Sequence, residues 1–292
     1  EAKNLWMGTF HSVFARILRL EADRLGYPSS FTIYDTQDSE RLLSSIIKEL
    51  NLDKDLYKVK QIRSRISSFK NSLITVRAYY NNPELVEADR ESKRPEMGTI
   101  YKEYVDRCFK AGAMDFDDLL LKTNELLNRF PDVLAKYQER FRYILVDEYQ
   151  DTNHSQYLIV RALADRYQNI CVVGDDAQSI YAFRGANIQN ILNFQRDYSD
   201  AEVYRLEQNY RSSGMIVKAA NAIIAHNKNR LEKNVWTANP EGHKIIIHRS
   251  PTDGEEGRYV AGDIFERAMQ SQLGYEDFAI LYRTNAQSRA ME

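Results

Sequence analysis

The chain has 292 residues, 43% hydrophobic and 28% charged, with 12 Gly and 6 Pro. That length accommodates two domains, or one with a large insertion, and that balance excludes a disordered or fibrous chain. A formal charge of −2 and a sequence pI of about 6.3 give no global basic excess, so any contact with nucleic acid must be local.

The chain opens on Glu1-Ala2-Lys3-Asn4, which is no signal peptide, and both ends read as cuts through patterned segments, as in an excised piece. Residues 9 to 25 place Phe10, Val13, Phe14, Ile17, Leu18 and Leu25 at helical spacing before Gly26 and Pro28, predicting one amphipathic helix. From about 35 to 110 the pattern stays helical, with Leu42, Leu43, Ile46, Ile47 and Leu50 on one face and no strand signal, so residues 27 to 112 read as an all-helical subdomain. Lysine and arginine cluster over 54 to 70 and again over 228 to 233; either cluster can be a solvated face or a phosphate contact.

The grammar then changes. A helix at 116 to 129 is followed by the apolar run Tyr143-Ile144-Leu145-Val146, a helix at 154 to 166, and Ile170-Cys171-Val172-Val173. Further strands are expected at 203 to 206, 245 to 247 and 278 to 281, with a helix at 213 to 226. Short apolar runs alternating with helices predict an α/β fold built on a parallel sheet. Neither Cys108 nor Cys171 has disulfide or metal-ligand spacing, and no apolar run reaches the roughly eighteen residues of a membrane span. A soluble protein of a reducing cytoplasm is expected.

Four places carry chemistry. The first strand ends directly in Asp147-Glu148; in open parallel sheets ligands bind beyond the carboxyl ends of strands, where one carboxylate can hold Mg²⁺ and its neighbour can activate a water. The same pair would also suit a solvated strand end. The next strand ends in Gly174-Asp175-Asp176-Ala177-Gln178, where Gln178 can sense a phosphate and Asp175 can cap the turn, although Gly-Asp-Asp equally suits an ordinary turn. Tyr181, Phe183 and Arg184 follow, offering either stacking faces and a cation to a single strand or a hydrophobic plug. Tyr210 and Arg211 precede a helix whose N-cap would be Ser212 or Ser213, with aromatic and guanidinium groups placed to meet a base and a phosphate.

These places fall within ordered strings: GTFHS (8–12), MDFDDL (114–119), VDEYQDTN (146–153), VGDDAQSIYAFRGA (173–186), LEQNYRSS (206–213) and LYRTNAQSR (281–289). In that order they resemble the successive motifs of the UvrD/PcrA/Rep helicases of superfamily one, over essentially the whole chain. The resemblance implies ATP and Mg²⁺ as cofactors, with Asp147 on the metal, Glu148 activating the hydrolytic water, Gln178 and Arg211 at the γ-phosphate, Tyr210 stacked on adenine, and Arg184 in the network coupling the two sites. Along single-stranded DNA it places Thr9, Phe10, His11, Tyr181, Phe183, Arg283, Asn285 and Arg289; for His11 a structural role stands beside that one. Many relatives carry Trp where this chain has Phe183, and the smaller ring offers less stacking area.

The implied architecture is a RecA-like, P-loop NTPase-type motor domain at 1–26 and 113–204, interrupted by the helical insertion at 27–112, with a second RecA-like domain beginning at 205. The implied activity is that of an ATP-dependent DNA helicase of the bacterial cytoplasm, moving 3′ to 5′ on single-stranded DNA and acting at single-strand/duplex junctions in repair or replication. Repair or replication proteins are possible partners and no membrane is expected. No Gly-x-x-x-x-Gly-Lys-Ser/Thr occurs in these residues; in the family it would precede Glu1, so the piece alone is expected to bind nucleotide poorly and not to turn it over. The alternative is a non-catalytic DNA-binding module of a nuclease- or helicase-like complex.

Overall fold

Thr9 starts the first helix: its hydroxyl oxygen accepts the Ser12 amide at 3.3 Å, and α1 runs over Phe10–Leu20 with Phe14, Ile17 and Leu18 buried. The computed structural model describes residues 5–228 and 230–292, and Arg184 without its side chain. The helix expected at 9 to 25 stops early because Glu21 is drawn inward, accepting the Tyr137 hydroxyl at 3.0 Å; a single tight turn, Ala22–Leu25, then closes on Gly26 at φ 78°. Two units result, one covering the chain to Tyr204 with a short return ending at Glu232, the other Arg205–Lys228 and Lys233–Glu292.

In the first unit the block expected to be free of strands contains one. Strand β1, Thr32–Tyr34, pairs in parallel with β2, Ala113–Asp115, Thr32 opposite Ala113. Three residues are too few to show alternation, and their partner lies some eighty positions away, so nothing local reveals the pairing. Between the two strands run α2 (Thr36–Glu49), α3 (Val59–Asn71), α4 (Val76–Tyr80), α5 (Pro83–Glu91) and α6 (Met97–Lys110). They enclose their own core of Leu43, Ile46, Ile62, Ile66, Phe69 and Tyr101. Each such side chain contributes about 1.5–3 kcal/mol on burial.

Helix α7, Phe116–Arg129, follows β2 directly, capped by Asp115, whose carboxylate accepts the Asp118 amide while Asp118 answers back to the Asp115 amide. Its buried Leu119, Leu120, Leu126 and Leu127 join α1 and helices α8 (Pro131–Arg140) and α9 (His154–Ala164) in a second core. The two cores meet at a buried charge cluster. Lys70 Nζ, with no exposed surface, lies 2.7 Å from Asp115 Oδ2 and 2.8 Å from Asp118 Oδ1, and the Tyr104 hydroxyl donates to Asp115 at 2.9 Å. Burial works against the ammonium, but the two carboxylates outweigh it and hold Lys70 well above its ordinary value. Burial and the Asp115 charge push Asp118 up to about 6; for Asp115 burial pushes the same way, and the Lys70 ammonium prevails, holding it low.

Strands β3, Ile144–Val146, and β4, Ile170–Val172, pair in parallel with Val146 opposite Val172. Val146 faces inward onto Tyr149 and Val160, whereas Leu145 is 78% exposed. The parallel pairing expected of the runs at 143 to 146 and 170 to 173 is therefore present, as a two-stranded sheet with one face of β3 open, beside the unexpected β1–β2 pair. Short helices α10 (Gln189–Leu192) and α11 (Phe194–Asp197) close the unit.

The second unit holds α12 (Gly214–Ile224), α13 (Asp253–Ser271) and α14 (Ser288–Met291). The strands expected at 203 to 206, 245 to 247 and 278 to 281 do not form: among the described residues these runs join no ladder, and Leu281 is 93% exposed. Apolar sequence supplies strand side chains but not a partner backbone, and the pairing is what makes a strand. Nearby, a single parallel bridge joins Gln208 to Trp236.

Candidate nucleotide and nucleic-acid site

Past β3 and β4 the ladder continues into two turns. Val173 N–H donates to Val146 O at 2.8 Å and Tyr149 N–H to Val173 O at 2.9 Å, laying Asp147-Glu148 beside Gly174-Asp175. Glu148 is in the left-handed region, φ 50° and ψ 42°, a conformation disfavoured for a residue with a Cβ. Its amide donates to Asp147 Oδ1 at 2.9 Å and its Oε2 accepts from Gln150 Nε2 at 2.7 Å. Both carboxylates of the pair are exposed. Asp151 joins them: burial first, and the Glu148 charge second, raise its carboxyl, and its Oδ1 is buried with no hydrogen-bond partner.

Across the turn, Asp175 behaves as its position predicts. Its Oδ1 accepts the Ala177 amide at 2.9 Å, and its Oδ2 accepts from Gln178 Nε2 at 2.9 Å. The end of the VDEYQDTN string is bound to the end of the VGDDAQSIYAFRGA string, with Asn187 N–H donating to Thr152 O at 2.9 Å and Asn153 bridging Ala186. Asn153 also caps α9 and donates through Nδ2 to Asn71 Oδ1 at 2.8 Å, and Asn71 in turn donates to Asp117 Oδ1 at 2.8 Å. The helical block thus touches the DEYQDTN string through one amide.

The loop after Gln178 folds so that Tyr181 and Phe183 stack, ring centres 6.0 Å apart and planes at 26°. Phe183 is 74% and Tyr181 37% exposed. The side chain of Arg184 lies outside the described residues. A hollow of about 490 Å³ lies beside these turns, lined among others by Thr9, Phe10, His11, Asp147, Glu148 and Asp151. It gathers residues from two of the strings. Burial lowers the His11 pKa against the pull of Asp117, and the ring stands edge-on to Phe116 at 5.8 Å. Phe10 packs against the core and on Phe14, and the Thr9 side chain is engaged as a helix cap.

In the second unit Ser213 occupies the N-cap position of α12, but its side chain does not cap it. Asn209 Oδ1 instead accepts the amides of Arg211 and Ser212, at 3.0 and 2.7 Å. Tyr210, largely exposed, donates its hydroxyl to Gln208 Oε1 at 2.9 Å. Arg283, Asn285 and Arg289 are exposed, and Gln287 Oε1 accepts the Arg283 amide at 3.0 Å.

Two residues at these turns, and one beside His11, escaped the sequence reading as individuals. Gln150 and Asp151 sit inside a string whose first two acids drew the attention, and Phe116, exposed at the start of α7, sits inside MDFDDL. Among the described residues no group of three or more metal-ligating side chains forms a cage. Asp147, with an exposed carboxylate at a strand end, instead fits Mg²⁺ of the kind held by one or two carboxylates and a substrate phosphate.

Comparison with known proteins agrees with the motif order. Residues 1–199 match the UvrD/REP helicase N-terminal domain and residues 204–292 the UvrD-like helicase C-terminal domain. Similar proteins include the ATP-dependent DNA helicases PcrA of Bacillus subtilis, 46% identical, of Staphylococcus epidermidis, 44%, and of Leuconostoc citreum, 43%, each over all of this chain. The chain spans 38–39% of the length of those relatives. Two adjoining domain matches and a likeness that covers the whole chain lead to one conclusion: the chain belongs to the UvrD/REP helicase family.

Proposed function

We propose that this chain carries part of the motor of an ATP-dependent DNA helicase that moves 3′ to 5′ along single-stranded DNA and opens duplexes at junctions in bacterial repair or replication. The observation that carries the proposal is the pair of turns past β3 and β4, where Glu148 is bonded to Gln150, Gln150 to Asp175 and Asp175 to Gln178. A strand-end carboxylate joined in this way to a phosphate-sensing glutamine suits hydrolysis that reports to a second site. That each named relative is an ATP-dependent DNA helicase favours this over a non-catalytic module.

In this reading the architecture is a RecA-like domain at 1–26 and 113–204, a helical insertion, and a second such domain from 205. Asp147 holds Mg²⁺, which when bound neutralises charge developing on the nucleotide phosphates. Glu148 orients the attacking water and accepts its proton, Gln178 meets the γ-phosphate, Tyr210 takes the adenine face and Arg211 the terminal phosphate. The exposed Tyr181–Phe183 stack and the hollow at Thr9, Phe10 and His11 receive the bases, with Phe116 beside them, and Arg184, Arg283, Asn285 and Arg289 serve the strand. No described helix is long and apolar enough to cross a membrane, and a cytoplasmic location accords with the reading.

The test is Glu148→Gln in the full-length protein that carries this chain. DNA-stimulated ATP hydrolysis should be abolished while binding of ATP persists, because the amide keeps the shape and loses the base. Retained DNA-stimulated turnover would refute the role.

A further inference from the structure

Gln150 is fully buried just past β3, between the two turns described above, and both ends of its side chain are engaged. Nε2 donates to Glu148 Oε2 at 2.7 Å and Oε1 accepts the Asp175 N–H at 3.0 Å. The amide has one workable orientation, since only its NH₂ can face a carboxylate and only its oxygen can face an N–H. Nor does it have room to slide. A Cβ at Gly174 would lie 2.5 Å from Gln150 Oε1 and 2.8 Å from Ile191 Cδ1, so the backbone has closed onto the amide as far as a glycine permits. The backbone conformation places the Glu148 side chain's root, but its outer torsions remain to be set, and the Gln150 donor is the side-chain contact that sets them. The same amide fixes the turn bearing Asp175, which holds Gln178.

Resting on the reading of Glu148 as the water-activating carboxylate, we infer that Gln150 is a positioning residue for it, aiming that carboxylate and keeping it in register with Gln178. Gln150 acts through Glu148 and touches no reactant itself. A buried glutamine that served stability alone would need hydrogen-bond partners, but not this one, an exposed carboxylate at a strand end.

Gln150→Glu in the full-length protein tests this. The substitution keeps the shape and the acceptor for the Asp175 amide, and turns a second carboxylate oxygen toward Glu148 in place of the donor; because a buried carboxyl there takes up a proton at neutral pH and then donates as the amide did, Gln150→Met, which can neither donate nor ionise, is assayed beside it and the criteria below are read on both variants. A misplaced catalytic group costs on the order of 100-fold, so kcat for DNA-stimulated ATP hydrolysis should fall by about that factor. KM for ATP should stay within about threefold, as expected when an interaction that matters only in the transition state is lost. A wild-type kcat in Gln150→Met overturns the inference, and so does a rise in KM with kcat unchanged. If one variant shows no cooperative melt, the other is read by the same criteria; unfolding of both marks the residue as purely structural and also overturns it. Glu148→Gln, assayed alongside, separates the two readings. Full turnover there removes the role of Glu148 itself, whereas a dead Glu148→Gln beside a wild-type kcat in Gln150→Met removes only that of Gln150.

Discussion

Replacing Lys70 with Met tests the buried charge cluster that joins the helical block to α7. Methionine keeps the unbranched stem and deletes the ammonium that lies 2.7 and 2.8 Å from Asp115 and Asp118. At those separations each attraction is about 6 kcal/mol with an effective dielectric near 20, though desolvation offsets much of it. A separate ceiling applies, because a stranded carboxylate can take up a proton. Neutralising one of ordinary pKa at pH 7 costs about 4 kcal/mol. The expected loss is therefore about 3–5 kcal/mol, which lowers Tm by roughly 10 °C in a unit of this size.

The pH dependence has a definite sign. In the variant the folded state binds a proton that the unfolded chain releases, a raised folded pKa, so the variant gains stability as pH falls. Wild-type Asp118 titrates only near 6. Between pH 7.5 and 6 the gap to wild type should consequently narrow by about 2 kcal/mol for one proton. Urea midpoints at the two pH values, with hydrogen exchange of the α3 and α7 amides, measure it. A loss below about 1 kcal/mol, or a gap that ignores pH, would refute the reasoning.

Two further outcomes concern the proposed function. Phe183→Ala should weaken binding of an oligo-dT strand to the full-length protein by about 1–3 kcal/mol, the value of one base–aromatic stack, as read by fluorescence anisotropy; unchanged affinity would remove the ring from the strand's path. The 292-residue chain by itself, which contains no phosphate loop, should bind Mg·ATP poorly in a calorimetric titration, and micromolar affinity would contradict that expectation.

What was legible in the sequence is what depends on neighbours along the chain. Helix α7 was expected at 116 to 129 and runs over Phe116–Arg129, because a capping acid and a leucine stripe are local signals. The strand end at Asp147 and the cap made by Asp175 were visible for the same reason. The partnership of Thr32–Tyr34 with Ala113–Asp115 was not, and neither were the Lys70 cluster and the Asn71–Asn153 contact, each of which joins residues forty or more positions apart. At 278 to 281 the failure ran the other way: side chains suited to a strand find no partner strand among the described residues, and Ile280 and Leu281 stand exposed. Within the site, Asp147 and Glu148 announce themselves by charge. Gln150 does not, because its importance lies in being buried and doubly bonded, and a glutamine in a polar string looks like any other until its surroundings are known.

The left-handed backbone at Glu148 sets two selective demands against each other. A side chain there carries a conformational cost of about 1–2 kcal/mol that glycine would not, while its carboxylate satisfies the buried Gln150 amide, whose loss of a partner costs about 1–3 kcal/mol, so on stability alone the two nearly balance. Glycine would also remove the carboxylate that the proposed hydrolysis requires. Screens that rank variants of this protein by thermal stability would accordingly be nearly blind to residue 148, and a laboratory lineage evolved for robustness alone would be free to lose there the carboxylate that the proposed hydrolysis needs.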